Sequence, residues 1–336
     1  MACTGSQLRF LERIKNNKSD KPRPEWFTKF LQESSDLKPI NCGGYKIVYP
    51  FGDHAIAIER GNKPMDPSVL LILKMLPKKH QKHLIYPLEH FITEEFTVSK
   101  LSLCPFGDLF DMFNTPNAPF EKLTPQMFVD LASTLDVLHS YNIAVTDLKP
   151  ENIMMCTCNC LAFIDLDSVT SLSEGKPKYV KAATLWWNPI LIIDNKKPRD
   201  YFISDWGAFA LITLEFIGQT LTRKENFDIL SRILVTSSSE KDYRYKWLKL
   251  QYIKQNSKYD SEFEDALNKL DLSPMKKEVV QVAMKLLNTL ILYDRFGSEV
   301  ASSIKEFQDA LGLDVYFQRS LNNGRVRLSK NKLLKF

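Results

Sequence analysis

The sequence predicts an α+β fold with two lobes, a strand-rich first lobe and a helical second lobe. Alternation typical of strands is concentrated before Leu103, whereas apolar residues recur mainly with helical spacing from Asp108 onward. The change falls at Cys104-Pro105-Phe106-Gly107, where Pro and Gly interrupt both patterns. The length of 336 residues suits two domains or one large bilobal unit.

In the first lobe we expect helical segments over residues 7–34, around a break at Lys21–Pro24. Strands are predicted at Tyr45–Tyr49, Ala55–Ile58, Leu84–Ile92 and Phe96–Leu103, with a short helix at Ser68–Leu76. In the second lobe the spacing predicts helices over 108–113, 125–141, 204–217, 225–235, 261–270, 275–292 and 298–310.

These elements suggest a division of the chain into five segments. They are an N-terminal helical extension (1–37), the N-lobe (38–103), a hinge (104–107), the C-lobe (108–312, with an insert at about 220–270) and a basic tail (313–336).

The composition is that of an ordinary globular protein. With 44% hydrophobic residues and only 12 glycines, it excludes collagen, coiled coil and wholesale disorder. A net charge of +5 is no strong signal for nucleic-acid binding. The start lacks the pattern of a signal peptide, and apolar runs fall short of a membrane helix. Six cysteines in a chain of this length predict no disulfide framework and a reducing compartment.

The segment Leu138–Met155 carries the chemistry. Asp147 is followed by Lys149 two residues later and by Asn152 five residues later, on a loop between a helix and a short strand. Ten residues beyond Met155, Asp165 ends an apolar strand. One carboxylate can take a hydroxyl proton, a lysine can reach a phosphate, and Asn and Asp can hold a divalent metal. This set of residues predicts phosphoryl transfer.

These motifs resemble those of the eukaryotic-type protein kinases, over about residues 38–312. The resemblance implies that Asp147 is the catalytic base, that Lys149 contacts the γ-phosphate, and that Asn152 and Asp165 hold magnesium or manganese. It also implies two structural residues, Asp205 at the start of a central helix and Arg295 late in the chain. The ATP contacts that it implies are Gly43, Gly44, Lys46, Val48, Ala57, Cys104, Asp108 and Met154.

The third strand departs from the family pattern, because Glu59 stands where the family has its nucleotide lysine. Two residues could replace that lysine. Lys46 lies where with-no-lysine kinases carry theirs, although an exposed strand lysine is an equal alternative. Arg60 is the other candidate, but strand alternation points it to the opposite face. An alignment that uses Lys74 instead leaves too few residues before the hinge.

Other positions depart from the pattern as well. Val69 aligns with the family's helix glutamate, and the nearest acid is Asp66. Val145 and Thr146 replace the His and Arg before the catalytic aspartate, which argues against activation by phosphorylation. Asp167 replaces a glycine, as a turn residue or a second metal ligand.

The segment Cys156–Cys160 is interpreted as a hairpin turn, since no fourth ligand for a zinc site is apparent.

The resemblance predicts an ATP- and Mg²⁺-dependent kinase that phosphorylates Ser/Thr hydroxyls of proteins. Glu59, Val69 and Asp167 keep two alternatives open, a pseudokinase acting as a scaffold or allosteric partner and a small-molecule kinase. The degenerate motifs also resemble kinases of large DNA viruses, which implies cytoplasm or nucleus, in the host cell if the source is viral. The sequence indicates no membrane association and no particular oligomeric state.

Overall fold

The structure is a computed structural model, and it describes residues 12–15, 22–34, 37–42, 46–61, 65–115, 119–166, 169–171, 198–222, 274–291 and 297–313. The chain divides into two compact units. The first comprises residues 1–106 and 155–167, and the second comprises 107–154 and 168–336. The main division falls within the segment predicted as the hinge. The helices predicted at 225–235 and 261–270, and the tail from residue 314, lie outside the described residues.

A five-stranded antiparallel sheet forms the first unit, in the order β1-β2-β3-β5-β4. Its strands are β1 (Asn41–Cys42), β2 (Lys46–Phe51), β3 (His54–Arg60), β4 (Glu89–Ile92) and β5 (Phe96–Ser102). The turn between β2 and β3 contains Gly52, whose φ of 57° is the left-handed conformation that glycine adopts without steric cost. Directly opposed residues of paired strands share a face, so the register fixes two faces of different character.

One face of the sheet is covered by helix α1 (Glu25–Glu33). Phe27 and Phe30 of this helix are fully buried, and the Phe30 ring lies 5.6 Å from the ring of Tyr49 in β2. Ile56 and Ile58 of β3 belong to the same apolar cluster. The N-terminal extension is therefore part of the first unit's core.

Two short helices connect β3 to β4: α2 (Pro67–Met75) and α3 (Lys78–Gln81). Asp66 caps α2, because its carboxylate accepts hydrogen bonds from the backbone N–H of Ser68, at 2.8 Å, and from the Ser68 hydroxyl. Val69 and Leu73 are its buried residues, and they lie four residues apart on one side of the helix.

The strand predicted at Leu84–Ile92 is too long, since β4 contains only its last four residues. Pro87 explains the difference, because it has no backbone N–H to donate to a ladder. Leu84 instead forms an isolated parallel bridge with Phe163. The hairpin predicted around Thr93–Glu95 is confirmed by the antiparallel pairing of β4 with β5.

The second unit is mainly helical. Its helices are α4 (Leu109–Asn114), α5 (Pro125–Ser140), α6 (Pro198–Thr222), α7 (Pro274–Ile291) and α8 (Gly297–Ala310). Trp206 of α6 is fully buried, with its ring edge-on to Phe209 and Phe307. A Cβ added at Gly207 would come within 2.6 Å of Leu290 Cδ1, so this glycine permits the close approach of α6 to α7.

Short elements complete the second unit and the connection back to the first. They are the strands β6 (Ile143–Ala144), β7 (Ile153–Met155), β8 (Leu161–Phe163) and β9 (Thr170–Ser171), with 3₁₀ turns at Phe120–Lys122 and Pro150–Asn152. A strand-rich first unit and a helical second unit confirm the predicted α+β class. Among the described helices, none is both long and apolar enough for a membrane span.

The cysteines differ from the prediction. Cys104 pairs with Cys156 and Cys158 with Cys160, as disulfides with Cα–Cα separations of 4.4 and 5.4 Å. The first pair joins residues 52 positions apart, which meet only in the folded chain and so could not be predicted by counting cysteines. The second pair lies in the hairpin predicted at 156–160, which is closed by a hydrogen bond from Cys156 N–H to Cys160 C=O.

Candidate functional site

The first unit has a pocket on the face of its sheet that α1 does not cover. The open space is about 340 Å³, including the part open to solvent. Ala57 and Ser99 lie opposite each other on β3 and β5 and form its floor. Lys46, Glu59 and Asp165 also line it, so the pocket combines a small apolar floor with one ammonium and two carboxylates.

Lys46 and Asp165 form an ion pair in this pocket, with Nζ 2.7 Å from Oδ1. Their side chains are 27% and 44% exposed, and such a pair is worth only about 0–1 kcal/mol. The Lys46 ammonium can therefore exchange this carboxylate for another anion at small cost. Arg60, the other candidate substitute, lies on the face that α1 covers, because it is directly opposite Phe96.

Asp165 adopts the left-handed conformation, with φ of 56°. Aspartate is one of the few residues other than glycine that occupy this region readily. The conformation turns the chain directly after β8, and Leu166, the next residue, is buried. The carboxylate of Asp165 is thereby presented to the pocket.

Glu59 lines the pocket and does not turn away from it. The sequence interpretation expected a carboxylate there to repel a nucleotide unless it pointed outward. The structure corrects the orientation, because the register pairs Glu59 with Lys46 on the same side of the sheet. This was the residue whose importance the sequence reasoning missed, and the signal was that Lys46 and Glu59 both occupy the polar positions of their strands.

The remaining predicted nucleotide contacts are placed as follows. Val48 is directly opposite Ala57, on the pocket face. Cys104 is buried just after β5, and Leu103 before it donates its N–H to the carbonyl of Asp53 at 3.2 Å. Gly43 and Gly44 lie outside the described residues, as do Asp167, the segment Thr184–Pro189 and Arg295.

The second unit holds the other predicted catalytic residues close together. Lys149 Nζ lies 3.0 Å from Asp147 Oδ2, and the amide Nδ2 of Asn152 donates to the same oxygen at 3.0 Å. Asn152 Nδ2 also donates to the backbone carbonyl of Asp147 at 2.9 Å. These bonds fix the carboxylate of Asp147, which is nearly buried, and leave the amide oxygen of Asn152 unused by them.

Asp205 of α6 supports the backbone that precedes Asp147. Its fully buried carboxylate accepts hydrogen bonds from His139 Nε2 at 2.9 Å, from Val145 N–H at 2.7 Å and from Thr146 N–H at 2.9 Å. Thr146 has φ of 65°, a conformation that is rare for a β-branched residue. The carboxylate holds the strained backbone next to Asp147 in place.

Asp108 and Met154 are joined by an antiparallel bridge. The Asp108 carboxylate caps α4 by accepting from Asp111 N–H at 2.8 Å. Burial raises the pKa of the Asp108 carboxyl to about 6, against the opposing effect of this hydrogen bond, and the charges of Asp111 and Glu151 raise it further. Asp108 is thus a carboxylate that titrates close to neutral pH.

The donor set suits a hard cation such as Mg²⁺. Asp165 offers a carboxylate in the first unit and Asn152 offers an amide oxygen in the second, and Mg²⁺ is commonly held by one or two such groups together with substrate phosphates and water. Across the residues that the structure describes, no cluster of three or more His, Cys, Asp or Glu side chains forms a complete metal site. This agrees with a metal that is bound largely through its nucleotide.

Comparison with known proteins gives a family-wide match. A family model described as protein kinase domain matches residues 59–291, which is more than half of the chain. The matched region contains Glu59 and the residues of both clusters except Lys46.

Individual relatives are similar at low identity. Calcium-dependent protein kinase 3 of Plasmodium yoelii yoelii is 28% identical over 183 residues, which are 47% of this chain and 34% of that protein. G protein-coupled receptor kinase 2 of Drosophila melanogaster is 25% identical over 228 residues, 66% of this chain and 30% of the relative. Serine/threonine-protein kinase ULK3 of Xenopus laevis is 22% identical over 178 residues, 52% and 38% respectively. The matches therefore span about a third of the length of these relatives.

Proposed function

The chain belongs to the protein kinase family, and on that premise we propose that it transfers the γ-phosphoryl group of ATP, with Mg²⁺, to Ser/Thr hydroxyls of proteins. The observation that carries the proposal is the Asp147 cluster. Its carboxylate is held by Lys149 and by Asn152, so its position does not depend on the substrate. Ser/Thr kinases among the relatives support the choice of acceptor.

In the proposed reaction the acceptor hydroxyl oxygen attacks the γ-phosphorus while its proton passes to a carboxylate oxygen of Asp147. A new P–O bond forms to the acceptor, and the bond between the γ-phosphorus and the β–γ bridging oxygen breaks. ADP leaves with that electron pair. Lys149 neutralises charge on the transferred group, and this electrostatic contribution is the largest that a kinase needs from its side chains.

Asn152 and Asp165 are the residues proposed to hold Mg²⁺. When bound, the metal would neutralise the charge of the phosphates and orient them. Lys46 replaces the missing nucleotide lysine in this proposal, because its ammonium lines the pocket and its partner Asp165 is a weak, partly exposed one. Asp108 and the backbone of Cys104 are proposed to contact ribose and adenine, as the resemblance implies.

A second candidate is a pseudokinase that binds a partner without transferring phosphate. Glu59 favours it, since this carboxylate adds negative charge to the pocket where the nucleotide would lie. The intact Asp147, Lys149 and Asn152 cluster opposes it.

The two candidates are separated by a transfer assay with a general acceptor protein and either Mg²⁺ or Mn²⁺. The wild type is compared with Asp147→Asn and Lys46→Met. We expect transfer by the wild type, a loss of about 100-fold or more in Asp147→Asn, and weakened ATP binding in Lys46→Met. Transfer by the wild type that does not exceed the Asp147→Asn background, with ATP binding retained, would establish the pseudokinase instead.

A further inference from the structure

The usual support for a nucleotide lysine is missing from helix α2. The helix contains no acidic residue in its first turn, and Val69 is buried there at 1% exposure. Asp66, the acid at its start, is occupied by capping Ser68. A lysine in the pocket therefore needs a carboxylate from another element to keep its long side chain in one place.

Glu59 lies where such a carboxylate is needed. Lys46 of β2 and Glu59 of β3 are directly opposed in the sheet, and both line the pocket. The Cβ atoms of directly opposed residues are about 4.5–5.5 Å apart, within reach of an ion pair between Lys and Glu side chains. The geometry brings the two charges together by strand pairing alone.

The register that creates this pair is strongly fixed. The neighbours of Lys46 and Glu59, Ile47 and Ile58, oppose each other on the other face, inside the cluster that contains Phe27 and Phe30 of α1. A shift by one residue would turn Lys46 into that aromatic core and expose the isoleucines. The hydrophobic face thus holds the charged pair in the pocket.

We propose that Glu59 is the positioning residue of Lys46, so that the lysine–glutamate pair lies within the sheet and does not involve helix α2. This inference rests on the proposed function, in which Lys46 contacts the phosphates of ATP. With carboxylates at both Glu59 and Asp165, Lys46 keeps one anionic partner when Asp165 is engaged by metal. The placement of Lys46 is then independent of the position of α2.

The test uses the full chain and two readouts that need no phosphoryl transfer. The first is the rate at which acetic anhydride acetylates Lys46, followed by peptide mass spectrometry, since a paired ammonium reacts slowly. The second is the affinity for ATP without metal, measured by calorimetry. In Glu59→Gln we expect acetylation of Lys46 to become about threefold faster and ATP binding about tenfold weaker, the size of one lost charge-assisted contact.

Glu89→Gln is the matched control, because Glu89 is directly opposite Lys100 in the same sheet but outside the pocket. Its Oε1 lies 3.1 Å from Lys100 Nζ. We expect this variant to accelerate acetylation of Lys100 alone and to leave ATP affinity unchanged.

A charge exchange provides the decisive arm. The double variant Lys46→Glu with Glu59→Lys keeps both charges and reverses their strands. If the pair is the functional unit, it recovers at least part of the ATP affinity that each single variant loses.

Unchanged acetylation of Lys46 and unchanged ATP affinity in Glu59→Gln, with binding lost in Lys46→Met, would overturn the positioning role and leave the proposed function intact. ATP affinity that persists in Lys46→Met would instead overturn the proposed role of Lys46.

Discussion

The carboxylate of Asp205 is the most sensitive single group in the second unit, and Asp205→Asn tests it with little change in volume. In the wild type, Oδ2 accepts from His139 Nε2 and Val145 N–H, while Oδ1 accepts from Thr146 N–H. An asparagine has one acceptor oxygen in place of two. In its best orientation it keeps the first two bonds and places its NH₂ group against the Thr146 N–H.

The magnitude follows from these contacts. A buried N–H left unsatisfied costs about 1–3 kcal/mol, and the loss of charge weakens the two bonds that remain. We therefore expect the free energy of unfolding to fall by about 3 kcal/mol in Asp205→Asn. In Asp205→Ala all three donors lose their partner, and the expected loss is about 5 kcal/mol. Released from its bond, Thr146 can leave the left-handed region, which displaces the backbone of Asp147.

Urea unfolding followed by tryptophan fluorescence measures the change, since Trp206 lies next to Asp205. Thr213→Val is the control on the same helix, because this buried hydroxyl only donates to the carbonyl of Phe209 at 2.9 Å. We expect it to cost about 1 kcal/mol or less. A loss in Asp205→Asn no greater than that in Thr213→Val would refute the view that this carboxylate holds the loop.

Two further predictions concern Asp108 and helix α1. Because burial raises the pKa of the Asp108 carboxyl from 3.8 to about 6, the folded state gains stability only when this group is protonated, so its contribution falls as the pH rises from about 4 to 6. Asp108→Asn keeps the cap and should be more stable than the wild type by about 1–2 kcal/mol at pH 7.5 but not at pH 4, and parallel stabilities across this range would contradict the assignment. Phe30→Ala removes a fully buried ring and should cost about 3–5 kcal/mol in thermal or urea unfolding, against about 0.5 kcal/mol for Leu71→Ala, whose side chain is 59% exposed. Equal losses in these two variants would show that α1 does not stabilise the first unit.

Much of the fold could be predicted because local pattern and tertiary structure agree. Alternation at Tyr45–Tyr49 and Ala55–Ile58 predicted β2 and β3, and the helical spacing at 125–141 predicted α5. The prediction was wrong where one residue overrides a pattern, as Pro87 does in the segment before β4.

The candidate site divides in the same way. The spacing of Asp147, Lys149 and Asn152 lies within one loop, so sequence alone could place them together. The orientation of Glu59 depends on its register with Lys46, and that register is set by which face α1 covers. Long-range pairing of this kind, like that of Cys104 with Cys156, leaves no mark in either segment alone.

The packing of α1 against the sheet has a practical consequence for anyone who expresses this protein as a fragment. The segment that matches the kinase family begins at Glu59, inside β3, and so omits α1, β1 and β2. A fragment cut there would leave β3 as an open sheet edge and expose the aromatic face formed by Phe91 and Phe96. Such a fragment is expected to self-associate, and boundaries for recombinant work should therefore be placed before Glu25.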